Sequence, residues 1–150
     1  MAISDGHIPM DIEALIPHRD RMKLIDGVLY VGDEGAATTA RVSDRWPLYE
    51  DGSVDPIVLI ELVAQTAAVH ISAKRQDGGH AADKRGWMVG IKKADFFRDR
   101  IPVDSGLKTS VKRLYEIDHY CVLEGEVFSG ADLLCRVQIQ VLRESDEESI

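Results

Sequence analysis

The segment Val54-Asp-Pro-Ile-Val-Leu-Ile-Glu-Leu-Val-Ala-Gln-Thr-Ala-Ala-Val-His-Ile-Ser-Ala-Lys74 decides how this chain folds. From Ile57 to Ala73 it holds neither Gly nor Pro, and only Glu61, Gln65, Thr66, His70 and Ser72 interrupt a run of Ile, Leu, Val and Ala. The run reads as a helix. A helix that is apolar on nearly every side is buried on nearly every side. Polar interruptions make it unfit to span a bilayer, which takes about 20 largely apolar residues. It is therefore predicted to be a core helix wrapped by the rest of the chain. Asp55 is a candidate N-cap and Pro56 suits the first helical position. Glu61 is the misfit: it falls in the first two turns among Leu, Ile and Val. A carboxylate is almost never fully buried without a partner.

Upstream, residues 22–31 and 36–42 read as two strands joined by a turn at residues 32–35. Asp11 can cap a short helix over residues 11–16 that Pro17 stops, and residues 1–10 read as a loose or weakly docked arm. Residues 43–53 carry Pro47 and Asp51-Gly52 and are expected to be irregular. Downstream of the helix, residues 76–83 form a Gly-rich loop, and the period then changes to two. Residues 86–97 are a strand interrupted at Gly90, and residues 98–106 are a connection. In residues 107–117, Leu107, Thr109, Val111 and Arg113 share one face, and Lys108, Ser110 and Lys112 the other. Residues 120–128 and 133–142 make a hairpin over Ser129-Gly-Ala-Asp132. In its second strand Leu133, Cys135, Val137, Ile139 and Val141 face the core, and Arg136, Gln138 and Gln140 face away. The order is β-β-α-β-β-β-β, an α+β architecture with an antiparallel sheet on a helix. A helix apolar all round needs cover on a second side too, from a strongly curved sheet and a partner subunit.

A chain of 150 residues, 45% hydrophobic and 29% charged, fits one soluble domain over residues 1–150. Its net charge of −8 argues against a surface for nucleic-acid phosphates. Residues 144–150 hold four of the acidic residues and are expected to fray. Cys121 and Cys135 give neither a disulfide framework nor metal-ligand spacing and read as buried small hydrophobes. No metal or cofactor is expected. The first residues lack the basic start and apolar core of a signal peptide, so the expected location is the cytoplasm, with no membrane partner.

Three stretches now stand in order. They are Leu15-Ile-Pro-His-Arg19 with Met22-Lys-Leu-Ile-Asp26, then Ile57-Val-Leu-Ile-Glu-Leu-Val-Ala-Gln65, then Gly90-Ile-Lys-Lys-Ala-Asp-Phe-Phe97 with Val103-Asp-Ser-Gly106. Together they resemble the 3-hydroxyacyl-(acyl carrier protein) dehydratases across most of the chain. The short form looks most like a stand-alone branch found with specialised polyene or fatty-acid clusters. The resemblance implies the hotdog fold, a curved antiparallel sheet wrapped around one long central helix. It implies a homodimer or higher oligomer, or a heterodimer with a dehydratase paralogue. It also implies a substrate carried as a thioester on acyl carrier protein or coenzyme A. The family has a catalytic His in a G-H-F-P-G segment shortly before the helix. Here Ser43-Asp-Arg-Trp-Pro-Leu-Tyr-Glu-Asp-Gly52 stands in that place, and no His lies between His18 and His70.

Dehydration of a 3-hydroxyacyl thioester takes a base for the C2 proton and an acid for the departing hydroxyl. The resemblance makes Glu61 the catalytic candidate, and apolar neighbours, which disfavour a carboxyl's charged form, suit that task. A structural Glu held by backbone donors or an Arg is the alternative. Gln65, one turn on, shares a face with Glu61 and can orient it, and Ala68 and Ser72 continue the stripe toward a site or a dimer seam. The N–H groups of Ile57 and Val58 leave the helix end, where they can polarise a thioester carbonyl or serve an ordinary cap. Trp46 and Pro47 can line an acyl tunnel or pack over the helix end. In the resemblance His18 is structural. His70 emerges opposite Glu61, His80 sits in the Gly-rich loop and His119 at a strand turn. Lys92, Lys93, Arg98 and Arg100 suit either an acidic carrier protein or solvent. Three functions follow: a dehydratase acting through Glu61 with the loop His replaced, a thioesterase using Glu61, and a non-catalytic acyl-binding subunit that pairs with an active dehydratase.

Overall fold

A computed structural model describes residues 6–16, 19–77 and 86–143. Asp11 opens helix α1 (Ile12–Leu15) by accepting a 3.1 Å bond from the Glu13 N–H, and a 3-10 turn covers Asp20–Met22. Strands β1 (Gly27–Val31) and β2 (Gly35–Arg41) follow, then two-residue strands β3 (Tyr49–Glu50) and β4 (Ser53–Val54). Helix α2 (Val58–Asp77) comes next, then β5 (Gly86–Phe96) and the two-residue β6 (Ile101–Pro102). The chain continues in β7 (Gly106–Ile117), β8 (Tyr120–Ser129) and β9 (Asp132–Arg143). The long strands pair antiparallel in one sheet, in the order β1-β2-β7-β8-β9-β5, and β3, β4 and β6 form a small second sheet.

The order of long elements is the one expected, and the differences are local. Residues 22–26 lie outside β1: the Gln65 side chain takes two of their backbone groups, although the Asp26 N–H still reaches the Thr39 carbonyl of β2 at 2.7 Å. Gln65 binds the Leu24 N–H and the Met22 carbonyl, and the Asp26 carboxylate accepts from the Arg41 N–H at 2.8 Å. Residues 43–53 are not wholly irregular. Asp51 (φ 51°) and Gly52 (φ 87°) form the tight turn of the β3–β4 hairpin, since two left-handed residues match strand twist. In β5 there are two register shifts, between Met88 and Gly90 and between Ile91 and Lys93, rather than one break at Gly90. Gln76 and Asp77 belong to α2. The arm docks at Ile8, whose N–H bonds the Val28 carbonyl at 2.6 Å. His7 beside it meets the Thr39 hydroxyl at 2.6 Å, and its ring lies so close over Gly27 that a Cβ there would sit 2.6 Å away. His18, His80 and residues 144–150 lie outside the described residues.

The core lies between α2 and the inner face of the sheet. Leu59, Leu62, Val63 and Ala67 are buried on the helix, against Leu107, Val111, Leu123, Val137 and Ile139 of the strands. Burial of such side chains is the main favourable term in folding. In β9 the expected alternation holds from Cys135 to Val141, but Leu133 is half-buried and Leu134 buried. A register shift at Val127/Phe128 adds one residue on the β9 side and moves the pattern. From Val58 to Ala73, α2 is buried except at Ile60, Glu61, Ala64, Ala68 and Ser72, an open stripe that the exposed Ile57 extends just before the helix. Gln65 does not share that opening; it is fully buried. Among the described residues, no helix is long and apolar enough to cross a membrane.

Candidate active site

Glu61 is the only Asp or Glu from Val58 to Arg75, and it sits half-buried at the open stripe of α2. Gln65 stands one helical turn further, and its amide nitrogen lies 3.4 Å from Glu61 Oε2. The amide oxygen accepts the Leu24 N–H at 2.9 Å, and the nitrogen also donates to the Met22 carbonyl. One side chain thus ties the segment before β1 to α2 and holds one carboxylate oxygen. At 3.4 Å the contact is a long hydrogen bond, enough to set which way the carboxyl group faces.

Asp55 opens α2, but not with free donors beyond it. Its carboxylate accepts the Ile57 N–H at 2.9 Å, and its carbonyl accepts the Val58 N–H at 3.1 Å. The Leu59 and Ile60 N–H groups bond the Pro56 and Ile57 carbonyls in the same tight first turn. The donors expected from Ile57 and Val58 for a thioester carbonyl are therefore taken within the chain. The Ile57 side chain is exposed at the end of the open stripe, and Val58 is buried.

Trp46 lies in the 43–52 segment where the resemblance places the loop His. It is buried in the main core, 5% exposed, with Pro47 half-buried next to it. A turn aims it inward: its N–H bonds the Ser43 carbonyl at 3.1 Å, and the Ser43 hydroxyl accepts the Arg45 N–H at 3.0 Å. Trp46 is thus a core side chain. A wide polar groove of about 530 Å3 opens beside this loop, lined by Asp26, Arg41, Ser43, Asp44, Tyr49 and Asp104 among others. A small cleft of about 40 Å3 separates Ala64, Ala67, Ala68 and Ile71 of α2 from Met88 of β5 and Ile139 and Val141 of β9. Glu61 lines neither hollow.

His70 is buried on α2 and His119 is exposed at the β7–β8 turn. The basic cluster is engaged within the chain. Lys92 lies 3.3 Å from the Tyr115 hydroxyl, Lys93 pairs with Asp95 at 3.7 Å and Arg98 with Asp132 at 3.6 Å. Arg100 binds the Ser53 hydroxyl and the Glu50 and Ser53 carbonyls. The part that sequence reasoning missed is the Met22–Leu24 segment. Its only signal was its place between two apolar stretches. Both cysteines are buried, and burial pushes the Cys135 thiol up to about 12.

A six-stranded antiparallel sheet closed on one long helix, with a carboxylate on the helix's open stripe, is a hotdog fold of the dehydratase-like kind. The chain belongs to the ApeP-like family, described as ApeP dehydratase, which matches residues 10–150. It is 33% identical over 105 residues to 3-hydroxyacyl-(acyl-carrier-protein) dehydratase FabZ of Streptococcus uberis, covering 67% of this chain and 72% of that protein. The counterpart in Streptococcus pyogenes is 32% identical, with 67% and 73% covered. Among solved structures, the dehydratase heterocomplex ApeI:P from Xenorhabdus doucetiae superposes with a TM-score of 0.81 at 21% identity, covering 93% of this chain and 95% of that one. A hypothetical thioesterase protein with coenzyme A from Streptococcus pneumoniae gives 0.62 at 14% identity, over 79% and 84%. At such identities the structural likeness is one of fold.

Proposed function

We propose that this chain acts on 3-hydroxyacyl thioesters as a dehydratase, with Glu61 as its acid/base. The observation that carries the reading is the carboxylate of Glu61, gripped by Gln65 and set on the open stripe of an otherwise enclosed helix. In the reaction, the C2–H and C3–O bonds break, the C2–C3 double bond forms and water leaves. Glu61 gives its proton to the departing hydroxyl. The C2 proton goes to water or to a group of a second subunit that closes over the stripe. General acid–base catalysis of this kind is worth about 100- to 10,000-fold in rate. The thioester is carried on acyl carrier protein or coenzyme A, and the acyl chain lies along the apolar side of α2. The relatives named dehydratase FabZ and the family ApeP dehydratase support this class of substrate.

A second reading has one observation in its favour. With Trp46 buried where the loop His was expected, the chain can serve as a non-catalytic acyl-binding subunit of a dehydratase pair, and the ApeI:P structure, a dehydratase heterocomplex, supports pairing with a second chain. The thioesterase reading loses support because the helix-end donors it needs are bonded to Asp55. The deciding experiment incubates purified protein with 3-hydroxyacyl thioesters and follows enoyl product and free thiol separately. Enoyl formation that falls about 100-fold or more in Glu61→Gln supports the proposal. Thiol release without enoyl product assigns hydrolysis. No turnover alone, with turnover gained or raised by a His-bearing homologue, assigns the accessory role.

A further inference from the structure

Leu48 is held in a backbone conformation that costs energy, and its side chain takes no part in the hydrophobic core. Its φ is 63°, in the left-handed region. The other described non-glycine residues there are all Asp, which tolerates the region far better. Leu48 follows Pro47 in a turn. A proline followed by a left-handed residue is the pattern of a type II turn, whose second central position favours Gly or Asn. Here a large apolar residue stands in that place, 54% exposed. Anchors on both sides keep it there. Trp46 is buried, and the β3–β4 hairpin that begins at Tyr49 is fastened to β6 and its flanks. The Val103 N–H bonds the Gly52 carbonyl at 2.9 Å, and Arg100 holds the Glu50 and Ser53 carbonyls. Backbone strain persists only where the surroundings over-determine it, and it gathers at functional sites.

The Leu48 carbonyl accepts the Asp55 N–H at 3.2 Å, and the Asp55 carboxylate accepts the Ile57 N–H at 2.9 Å. Leu48 therefore stands at the start of α2, two hydrogen bonds from the exposed Ile57 that begins the open stripe. Glu61 follows one turn on, about 6 Å along the axis. Further along in the same direction lies the apolar cleft between Ala64, Ala68 and Ile71 of α2 and Met88, Ile139 and Val141 of the sheet. A 3-hydroxyacyl thioester laid on the stripe with its reacting carbons at Glu61 has two arms. The acyl tail suits the apolar cleft. The carrier arm, joined through sulfur, then runs the other way, over Ile57 towards Leu48. In acyl carrier protein and in coenzyme A alike that arm is pantetheine. It alternates amides with methylenes and ends in a gem-dimethyl carbon, so it offers apolar surface to two aliphatic side chains.

We propose that Leu48, with Ile57, forms an apolar lip that grips the pantetheine arm of the thioester, and that the strained turn holds Leu48 out for that contact. This rests on the reading of Glu61 as the reacting group. The test compares the unaltered full-length chain with Leu48→Asn and Leu48→Met. Each is given the coenzyme A and the N-acetylcysteamine thioester of one 3-hydroxyacyl group; the second lacks the gem-dimethyl end of the arm. Asparagine accepts the left-handed backbone, so L48N is expected to unfold about 2–4 °C higher. It is expected to raise KM for the coenzyme A thioester about fivefold or more, with kcat within about twofold. Its KM for the truncated thioester should not change. L48M keeps an apolar side chain and should keep both KM values. A lower unfolding midpoint in L48N makes Leu48 part of the fold and overturns the proposal. So does an unchanged KM for both thioesters, or an equal rise in both. Calorimetry with octanoyl coenzyme A, which has no hydroxyl to lose, reads binding apart from turnover. Weaker binding to L48N, in a protein that turns over no thioester, upholds the lip and overturns only the catalytic reading. Equal binding to L48N and the unaltered chain overturns the lip, and weaker association of L48N with a second chain then assigns Leu48 to a protein contact. An unaltered chain that binds no octanoyl coenzyme A overturns the proposal outright.

Discussion

The Gln65 amide meets three groups: the Leu24 N–H, the Met22 carbonyl and Glu61 Oε2. Gln65→Leu keeps the volume but takes the acceptor from the buried Leu24 N–H and the donor from the part-buried Met22 carbonyl, and loss of a partner at a buried group costs about 1–3 kcal/mol. The expected result is a fold weakened by about 3 kcal/mol, read as a lower urea midpoint with an unchanged slope. Activity per folded molecule should fall as well, because Glu61 loses its anchor. Sequence spacing set Gln65 beside Glu61, but it gave no sign that the same amide closes on residues forty positions upstream. Cys135 makes a different prediction. Burial holds its thiol at about 12, against 9.0 for a free one. The folded value is the higher one, so the buried thiol's contribution to stability is full below pH 9 and is lost as pH climbs towards 12. Iodoacetamide at pH 8 should leave Cys135 unmodified in the native protein and alkylate it in urea, as peptide mass spectrometry would detect.

At the scale of elements, the closest approach of helix and sheet is Val63 of α2 over Gly125 of β8. A Cβ at Gly125 would lie 2.4 Å from Val63 Cγ1. Gly125→Ala is expected to destabilise by about 1–3 kcal/mol, as overpacking does. Adding Val63→Ala should cost less in that background than in the original chain, and a denaturation cycle over the four proteins measures the difference. The helix start gives a second case. Asp55→Ala removes the carboxylate that holds the Ile57 N–H and should cost about 1 kcal/mol of thermal stability. Helix α2 and the six long strands were legible because a run without Gly or Pro and a period of two persist over many residues. The β3–β4 hairpin was not, because two-residue strands carry no period, although Asp51-Gly52 is a hairpin signal when weighed by itself. Each bulge moves the side chains beyond it by one place, which is why Leu134, not Leu133, is buried in β9. The burial of Trp46 was equally hidden, since a large apolar side chain in a loop fits a tunnel wall and a core equally well.

For the whole molecule, the decisive asymmetry among the described residues is between a β1 edge met by Ile8 and a β5 edge that pairs only with β9, with Ala64 and Ala68 of the open stripe of α2 on the same side as the latter. The sequence pointed to a helix needing cover on more than one side. Which strand would be left bare depended on the β1-β2-β7-β8-β9-β5 order, and order follows from long-range pairing that local pattern does not encode. The bare edge has a signature in hydrogen exchange. In a lone chain the Asp95 and Phe97 amides are tied to β9 and exchange slowly, while those of Ala94 and Phe96 face solvent and exchange fast, so protection alternates along the strand. Pairing on β5 ties down the Ala94 amide too. Its exchange should slow as protein concentration rises, while the amides of β7 and β8, bonded on both sides within one chain, should not change. Amide-resolved exchange at two concentrations measures both. An Ala94 amide that exchanges at the same rate in each sample would mean that the edge stays open and that the stripe around Glu61 is covered, if at all, from another direction.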